Sequence, residues 1–287
     1  MLKKLKPTSS DPNSPGFLYD PNDCIGRGAG TIVYQGFNEV TKEIVAIKII
    51  AKKSPEDTSW RQEYKAHKLV NEHPNIVKIY GSVKTANNFY LITEYCGEKD
   101  LRHNLEALPE KRMSEEKAWR ILIGLIDAVE FIHSKGIIHR DIKAENVLLK
   151  DGEAKVADLG SSTFKDITTS YVGTPLYMAP EVIWKSDIDE NSYGREVDIW
   201  SLGILFHELL YGKRPFEGKK GPQIRDMIVN AKFEAEKVDY VSEEARNLLN
   251  NMLKREPKER ITIDQIRKLE KFKKMIQDKE SKCLLCD

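Results

Sequence analysis

The chain has 287 residues, 40% of them apolar, and 46 lysines and arginines against 45 aspartates and glutamates, for a formal charge of +1. That length can bury two packed lobes, and the charge balance removes any global pull toward nucleic acid or an anionic membrane. No apolar run approaches the roughly 18 residues of a membrane span, and "MLKKLKPTSSDPNSPG" has no secretory h-region, so a soluble, cytoplasmic protein with no nucleic-acid partner and no membrane span is expected.

Residues 1–16 are basic, then Pro- and Ser-rich, and read as a flexible leader. Residues 17–95 favour strands: "TIVYQGF" alternates, and "EIVAIKII" is a β-branched run. "DTSWRQEYKAHKLVNE" interrupts them with helical character, and "NIVKIYGSV" and "NFYLITEYC" are again strand-like. From 96 to about 275 the pattern is helical. "SEEKAWRILIGLIDAVEFIHSKG" has Ser114 to cap it, Glu115 and Glu116 for the helix dipole, and Gly136 to end it. Its apolar residues Ala118, Ile121, Leu122, Leu125, Val129 and Ile132 predict one buried face. "IWSLGILFHELLYGKRPF" reads as a second, largely buried helix, and residues 276–287 as a tail. The basic amphipathic stretch "QIRKLEKFKKMIQ" would bind calmodulin or an acidic partner, or else close the helical half. Four cysteines are too few and too scattered for a disulfide scaffold, and Cys283 and Cys286 lack the two further ligands of a zinc site. The expected fold is α+β: a small antiparallel sheet with one helix, then a larger helical lobe, with the ligand crevice between them.

"CIGRGAGTIVYQG" carries three glycines ahead of an alternating run. Gly26, Gly28 and Val33 fit the nucleotide-covering pattern G-x-G-x-x-G-x-V. Thr31 holds the third glycine position and Gly30 lies one residue early. Taken alone, the stretch is equally a hairpin turn. "HRDIKAENVLLKDGEAKVADLG" carries Asp141, Asn146 and Asp158. Phosphoryl transfer needs a carboxylate to orient the attacking hydroxyl and metal to neutralise phosphate oxygens, and Asn146 and Asp158 offer hard oxygens suited to Mg²⁺. Any one of these residues alone is as well explained as part of a polar loop.

In order along the chain stand "GRGAGTIV", "VAIK", "HRDIKAEN", "ADLG", "GTPLYMAPE" and "DIWSLG". With this series the chain resembles the eukaryotic protein kinases from residue 17 to about 275. The resemblance implies a serine/threonine kinase that uses ATP and Mg²⁺ on protein substrates. It implies that Lys48 holds the α- and β-phosphates and pairs with Glu63, that Asp141 is the catalytic base, and that Asn146 and Asp158 bind magnesium. Ile25, Val33, Ala46 and Leu148 would sandwich the adenine, Glu94 and Cys96 would offer it backbone hydrogen bonds, and Thr93 would be the gatekeeper. Lys143 and Thr174 beside Asp141 are of the serine/threonine type. Glu145 and Asp100 resemble positions that read arginine upstream of the target, the alternative being solvated surface charge. Some stretches are similar to the Ulk-type autophagy-initiating kinases and to the calmodulin-dependent group, although Ala144 departs from the usual proline of both.

Two departures, Thr31 and Leu159 in place of the usual phenylalanine, are the support for a rival reading as a pseudokinase or scaffold. A small-molecule kinase is a second rival, opposed by "GTPLYMAPE". By the resemblance, an apolar column links the lobes and one member lies four residues after Glu63. That is His67, neighboured by Ile79, Leu159 and His139, unless the extra residue before "HPNIV" shifts Leu69 or Val70 into its place. Arg140 implies control by phosphate in the segment 158–181, with Ser170 the expected site and Thr169 the alternative.

Overall fold

The computed structural model describes residues 2–6, 16–28, 30–54, 59–97, 99–164, 173–184, 193–217, 222–230 and 233–283. The first part is a six-stranded sheet: β1 (Lys3–Leu5), β2 (Phe17–Gly28), β3 (Thr31–Asn38), β4 (Ile44–Ala51), β5 (Ile79–Lys84) and β6 (Asn88–Glu94). Every neighbouring pair is antiparallel, in the order β1-β2-β3-β4-β6-β5. Helix α1 (Ser59–Leu69) lies between β4 and β5 in sequence. The β-branched run of β4 explains the packing. Val45 and Ile47 are fully buried and join Phe17, Tyr19, Val83, Tyr90 and Ile92 in one apolar cluster. Ala46 and Lys48, pointing the other way, are half-buried. The side chains of the active face therefore come from the alternate positions of the strands that hold the core.

The second part contains α2 (Leu101–Glu106), α3 (Glu115–Ser134), the hairpin β7 (Val147–Lys150) and β8 (Glu153–Val156), α4 (Pro180–Trp184), α5 (Glu196–Tyr211), α6 (Pro222–Val229), α7 (Glu243–Met252), α8 (Ile263–Arg267) and α9 (Glu270–Cys283). The protein is thus α+β and bilobal. Ala66 and Val70, at the end of α1, are buried in the larger helical core, so α1 is packed against both lobes. Ser114 caps α3 by accepting from the Lys117 N–H at 3.4 Å. Gly212 ends α5 at φ +71°, where a Cβ would stand 2.3 Å from the Glu110 carbonyl, so only glycine fits. Among the described residues no helix is long and apolar enough to cross a membrane.

Three expectations change. Residues 3–5 are not part of a flexible leader but an edge strand: Leu5 is buried against the Phe17–Tyr19 end of β2, and Lys4 reaches Glu39 at 2.5 Å. A three-residue strand is too short to show periodicity, so composition masked it. Helix α3 is buried on more than one face, with Trp119, Ile123, Ile126 and Ala128 also inside, because α5 and β8 pack on it from different sides. The boundary expected at 275 falls within α9, whose Phe272 is fully buried and whose Met275 and Ile276 pack on the core. Thr169 and Ser170 lie outside the described residues.

Candidate active site

The strand register builds one wall. Gly26 stands opposite Val33, Val33 opposite Lys48, Lys48 opposite Leu91, and Ala46 opposite Thr93. Directly opposed residues share a face, so Val33, Ala46, Lys48 and Thr93 face the same way. These four are half-buried, as are Ile25 at the edge and Leu148 on β7. The β2–β3 connection is a hairpin closed by Gly28 and Thr31, with Gly30 at φ +77°. The glycine stretch is thus a hairpin turn whose strands continue into the wall, through Gly26 opposite Val33. Thr31 is the first paired residue of β3, and its Oγ1 lies 2.9 Å from where a Gly28 Cβ would be. Thr31→Gly is expected to leave kcat equal or higher and to tighten ATP modestly; a large loss in a steady-state assay would give the threonine a role of its own.

Behind this wall three charges meet. Lys48 Nζ lies 2.8 Å from Glu63 Oε1 and 3.0 Å from Asp158 Oδ1. Burial alone would push the Lys48 ammonium down, but Asp158 and Glu63 offset it and hold its pKa above the usual lysine range. One cation cannot serve two carboxylates equally. Asp158, whose side chain is partly exposed, faces Lys48 and accepts from the Gly160 N–H at 3.0 Å, and these hold it down to about 2. Glu63 is lifted above the usual range by burial and by repulsion from Asp158, against the pull of Lys48. Asp158 has φ +54° and Arg140 φ +71°, a left-handed backbone that non-glycine residues rarely adopt and that clusters where side chains must be aimed.

The opposite wall is the loop before β7. The Asp141 carboxylate accepts from three donors: Thr174 Oγ1 at 2.9 Å, Lys143 Nζ at 2.8 Å and Asn146 Nδ2 at 2.9 Å. Lys143 also reaches Thr174 Oγ1 at 2.7 Å, which closes the ring of contacts. Asn146 donates a second bond to the Asp141 carbonyl at 2.8 Å, so both its N–H groups point into the loop, and Oδ1 has no partner among the described residues. Leu159, behind Asp158, is buried at 1% exposure and keeps the apolar plug expected of that position.

His67 is buried at 3% exposure, as the spacing from Glu63 requires; of the two alternatives Leu69 is 45% exposed, while Val70 is fully buried, within the larger core. His67 Nε2 donates to the Val77 carbonyl at 2.8 Å, and Nδ1 has no hydrogen-bond partner among the described residues. Burial pushes its pKa down to about 4. The unfolded chain, with histidine near 6.5, therefore takes the proton first, and stability contributed by a neutral His67 is lost as pH falls from about 6.5 to about 4. The loss is of order 3 kcal/mol. His67→Leu is expected to flatten the stability–pH curve in that window, as read from urea unfolding at pH 7.5 and 4.5. An unchanged slope would show that His67 does not titrate with folding. His207, also pushed down to about 4 by burial, supplies a remaining slope.

Several contacts were not expected from the sequence. Asp198, fully buried in the apolar α5, accepts from the His139 N–H at 2.9 Å, the Arg140 N–H at 2.8 Å and His133 Nε2 at 2.7 Å, which holds the Asp141 loop in place. A carboxylate set between Val197 and Ile199 in a largely apolar helix was the available signal. Arg102 makes a forked pair with Glu208 at 2.7 and 3.0 Å and touches Tyr177 at 2.8 Å and Glu145 at 3.1 Å; nothing in the sequence marked it. Asp100 is the N-cap of α2 and accepts from the His103 N–H at 2.9 Å. The Glu94 side chain faces away from the wall, pinned by Lys150 at 2.6 Å and Lys155 at 3.0 Å, and Cys96 is buried. The Arg140 guanidinium donates to the Ser161 carbonyl at 2.7 Å and the Ser162 carbonyl at 3.4 Å.

With this geometry, comparison with known proteins is decisive for the family. The chain is 34% identical over 283 residues to CBL-interacting serine/threonine-protein kinase 10 of Arabidopsis thaliana, covering 94% of this chain and 57% of that protein. It is 33% identical over 257 residues to serine/threonine-protein kinase SIK1 of Rattus norvegicus, covering 87% of this chain and 32% of that one. The chain therefore spans little more than half the length of the first of these relatives and a third of the second. The family described as protein kinase domain matches residues 19–272, and the chain belongs to that family.

Proposed function

We propose that this domain is a serine/threonine protein kinase that transfers the γ-phosphate of ATP to serine or threonine hydroxyls of proteins in the cytoplasm. The observation that carries the reading is the Asp141 carboxylate held by Lys143, Asn146 and Thr174 while the ionised Lys48–Asp158 pair stands across the cleft. In this reading Asp141 orients the substrate hydroxyl and takes its proton. Lys143 and Thr174 fix that carboxylate, and Lys143 is left beside the point of transfer, which favours the serine/threonine assignment. Lys48 meets the α- and β-phosphates as a permanent cation, and Glu63 sets its position. The hairpin at Gly26 and Gly28 covers the phosphates with backbone N–H groups, as in other loops of this kind. Ile25, Val33, Ala46 and Leu148 enclose the adenine, with backbone groups of Glu94 and Cys96 at its edge and Thr93 at the back.

Mg²⁺ fits the donor set: Asn146 offers an amide oxygen without a partner among the described residues, and Asp158 is ionised with one oxygen turned to Lys48. When bound, the ion neutralises phosphate oxygens. The expected preference for basic residues upstream of the target meets an obstacle. Arg102 already neutralises Glu145 and Glu208, so a substrate arginine would have to compete with it. Phosphorylation of Ser170 or Thr169 remains part of the proposal, with the Arg140 guanidinium moving from the Ser161 carbonyl to the phosphate.

The test is transfer of labelled γ-phosphate from Mg-ATP to a serine peptide. Lys48→Met should cut kcat/KM by more than about tenfold, that is more than ~1.4 kcal/mol, with the fold retained by circular dichroism; the melting curve should fall, because buried Glu63 loses the cation that offsets Asp158. Retention of more than a tenth of the wild-type value would sink the assignment.

A further inference from the structure

One guanidinium is tied to both of the segments that aim Asp141. Arg102 sits on α2, where Asp100 as N-cap and the buried Leu101 and Leu105 fix its direction. Its Nε donates to Glu145 Oε1 at 3.1 Å and its Nη1 to Glu208 Oε1 at 2.7 Å. Its Nη2 donates to Glu208 Oε2 at 3.0 Å and to the Tyr177 hydroxyl at 2.8 Å. Four of the five guanidinium N–H groups are thus committed. Glu145 directly precedes Asn146, and Tyr177 closes the Pro175–Tyr177 turn that follows Thr174. Asn146 and Thr174 are two of the three donors to the Asp141 carboxylate. The cluster therefore adjoins the point of transfer, where a peptide flanking the reacting hydroxyl must pass.

The electrostatics are those of a filled site. The Glu208 side chain is 3% exposed, and a carboxylate so far out of water needs a cation and hydrogen bonds. Both its oxygens are taken, Oε1 by Arg102 and Oε2 by Arg102 and the Tyr177 hydroxyl. Burial and Glu208 hold that hydroxyl protonated, above the usual tyrosine range. A second guanidinium, Arg214, lies 3.8 Å from Glu208 and over the Tyr177 ring, and itself pairs with Glu217. Without Arg102, Glu145 and Glu208 would face one gap as two carboxylates, and the planar fork of a guanidinium is the group that fits them. Such a gap can be filled from this chain or from the substrate. Arg102 is held in place by α2, whereas an arginine arriving on a peptide loses translational and side-chain freedom and meets two cations already there.

We propose that Arg102 is a specificity-determining residue that supplies from within the chain the cation Glu145 and Glu208 require. The enzyme then takes hydroxyl peptides with no arginine beside the target, and removal of Arg102 turns such an arginine into a requirement. The inference rests on the reading of Asp141 as the base and deepens it by naming the substrate class. Arg102 acts through Glu145 and Tyr177, so it is also a positioning residue for the loop and the turn that hold Asp141.

The test places arginine at each position upstream of the single serine of an otherwise neutral peptide and compares each peptide with its alanine parent. Wild-type kcat/KM should stay within about twofold across the set. Arg102→Ala should lose about tenfold or more on the parent and regain most of it on one or two arginine peptides, with the regain in KM. Arg102→Lys keeps a charge but loses the fork; it guards against a truncation that fails to fold and should show the same regain at about threefold. Arg102→Met, Glu208→Gln removes both charges and should show no dependence on arginine, a result that a merely structural brace would not separate from Arg102→Ala. Melting gives a reading without activity: methylguanidinium should raise the midpoint of Arg102→Ala and leave that of the wild-type chain unchanged. A wild-type preference of more than about fivefold for an arginine peptide overturns the proposal. So does an Arg102→Ala enzyme that ignores arginine, or an equal response of both chains to methylguanidinium. Phosphate on none of the peptides with the wild-type chain would speak against the transfer reading itself, whereas transfer with the wrong arginine pattern would leave that reading standing and remove the role given to Arg102.

Discussion

Asp141→Asn is expected to lower kcat by about two to four orders of magnitude, the range a positioned general base supplies, with nucleotide affinity and melting temperature little changed. The amide has the shape of the carboxylate but cannot take the proton of the attacking hydroxyl. It also reverses one contact. Thr174, Lys143 and Asn146 all donate to Asp141, so an amide NH₂ must face at least one donor. The two causes separate on measurement. Loss of the base falls on kcat and leaves KM for the peptide within a few-fold, whereas a disordered loop would also raise KM and lower the melting curve. A variant within about tenfold of wild-type kcat would show that Asp141 is not the base.

The residues that the proposal places at the point of transfer were legible because each lies in a short local pattern. Asp141, Lys143, Asn146 and Asp158 fall within eighteen residues of chain, and the loop and hairpin there fix their spacing. Glu63 and His67 were legible through helix geometry, since residues four apart share a face and Glu63 faces Lys48 while His67 lies inside. The contacts missed are those between residues far apart in sequence. Arg102 meets Glu208 across 106 positions, and Asp198 meets the His139 N–H across 59. No local rule predicts such pairs, because each partner is satisfied only after tertiary packing. The β1 strand was missed for a different reason: its stability comes from Leu5 entering a core made by other strands, not from its own sequence pattern. Asp100 shows the reverse case, a local role that neither of the two readings offered for it had named. Its side chain is accounted for by capping α2, a role written in its position just before the helix.

Arg260→Ala is expected to destabilise the domain by about 3–5 kcal/mol, the usual effect of orphaning one partner of a buried pair. Arg260 and Glu181 expose 1% and 4% of their side chains and meet through two bonds of 2.6 Å. Arg260 also donates to the carbonyls of Lys254, Arg255 and Glu196, at 2.8, 3.0 and 3.1 Å, and lies over the Trp200 ring. Truncation strands the Glu181 carboxylate and three carbonyls out of water, each of which costs more than the bond it made was worth. At roughly 2–4 °C per kcal/mol for a domain of this size, the midpoint should fall by about 10 °C. A fall equivalent to less than about 1 kcal/mol would mean that water reaches Glu181 and that the pair is not buried in solution. The double replacement Arg260→Met, Glu181→Leu separates stability from activity. An apolar pair of similar volume needs no desolvation of charge, so much of the lost stability should return. Phosphoryl transfer should not return with it. Glu181 opens α4, directly after the Pro175–Tyr177 turn and Thr174, and Thr174 is one of the three groups that aim Asp141. The pair's contribution on this account is direction, fixing where the chain from Thr174 to Glu181 sits against α5. A double variant that melts normally and transfers phosphate at the wild-type rate would show that packing alone sets that path.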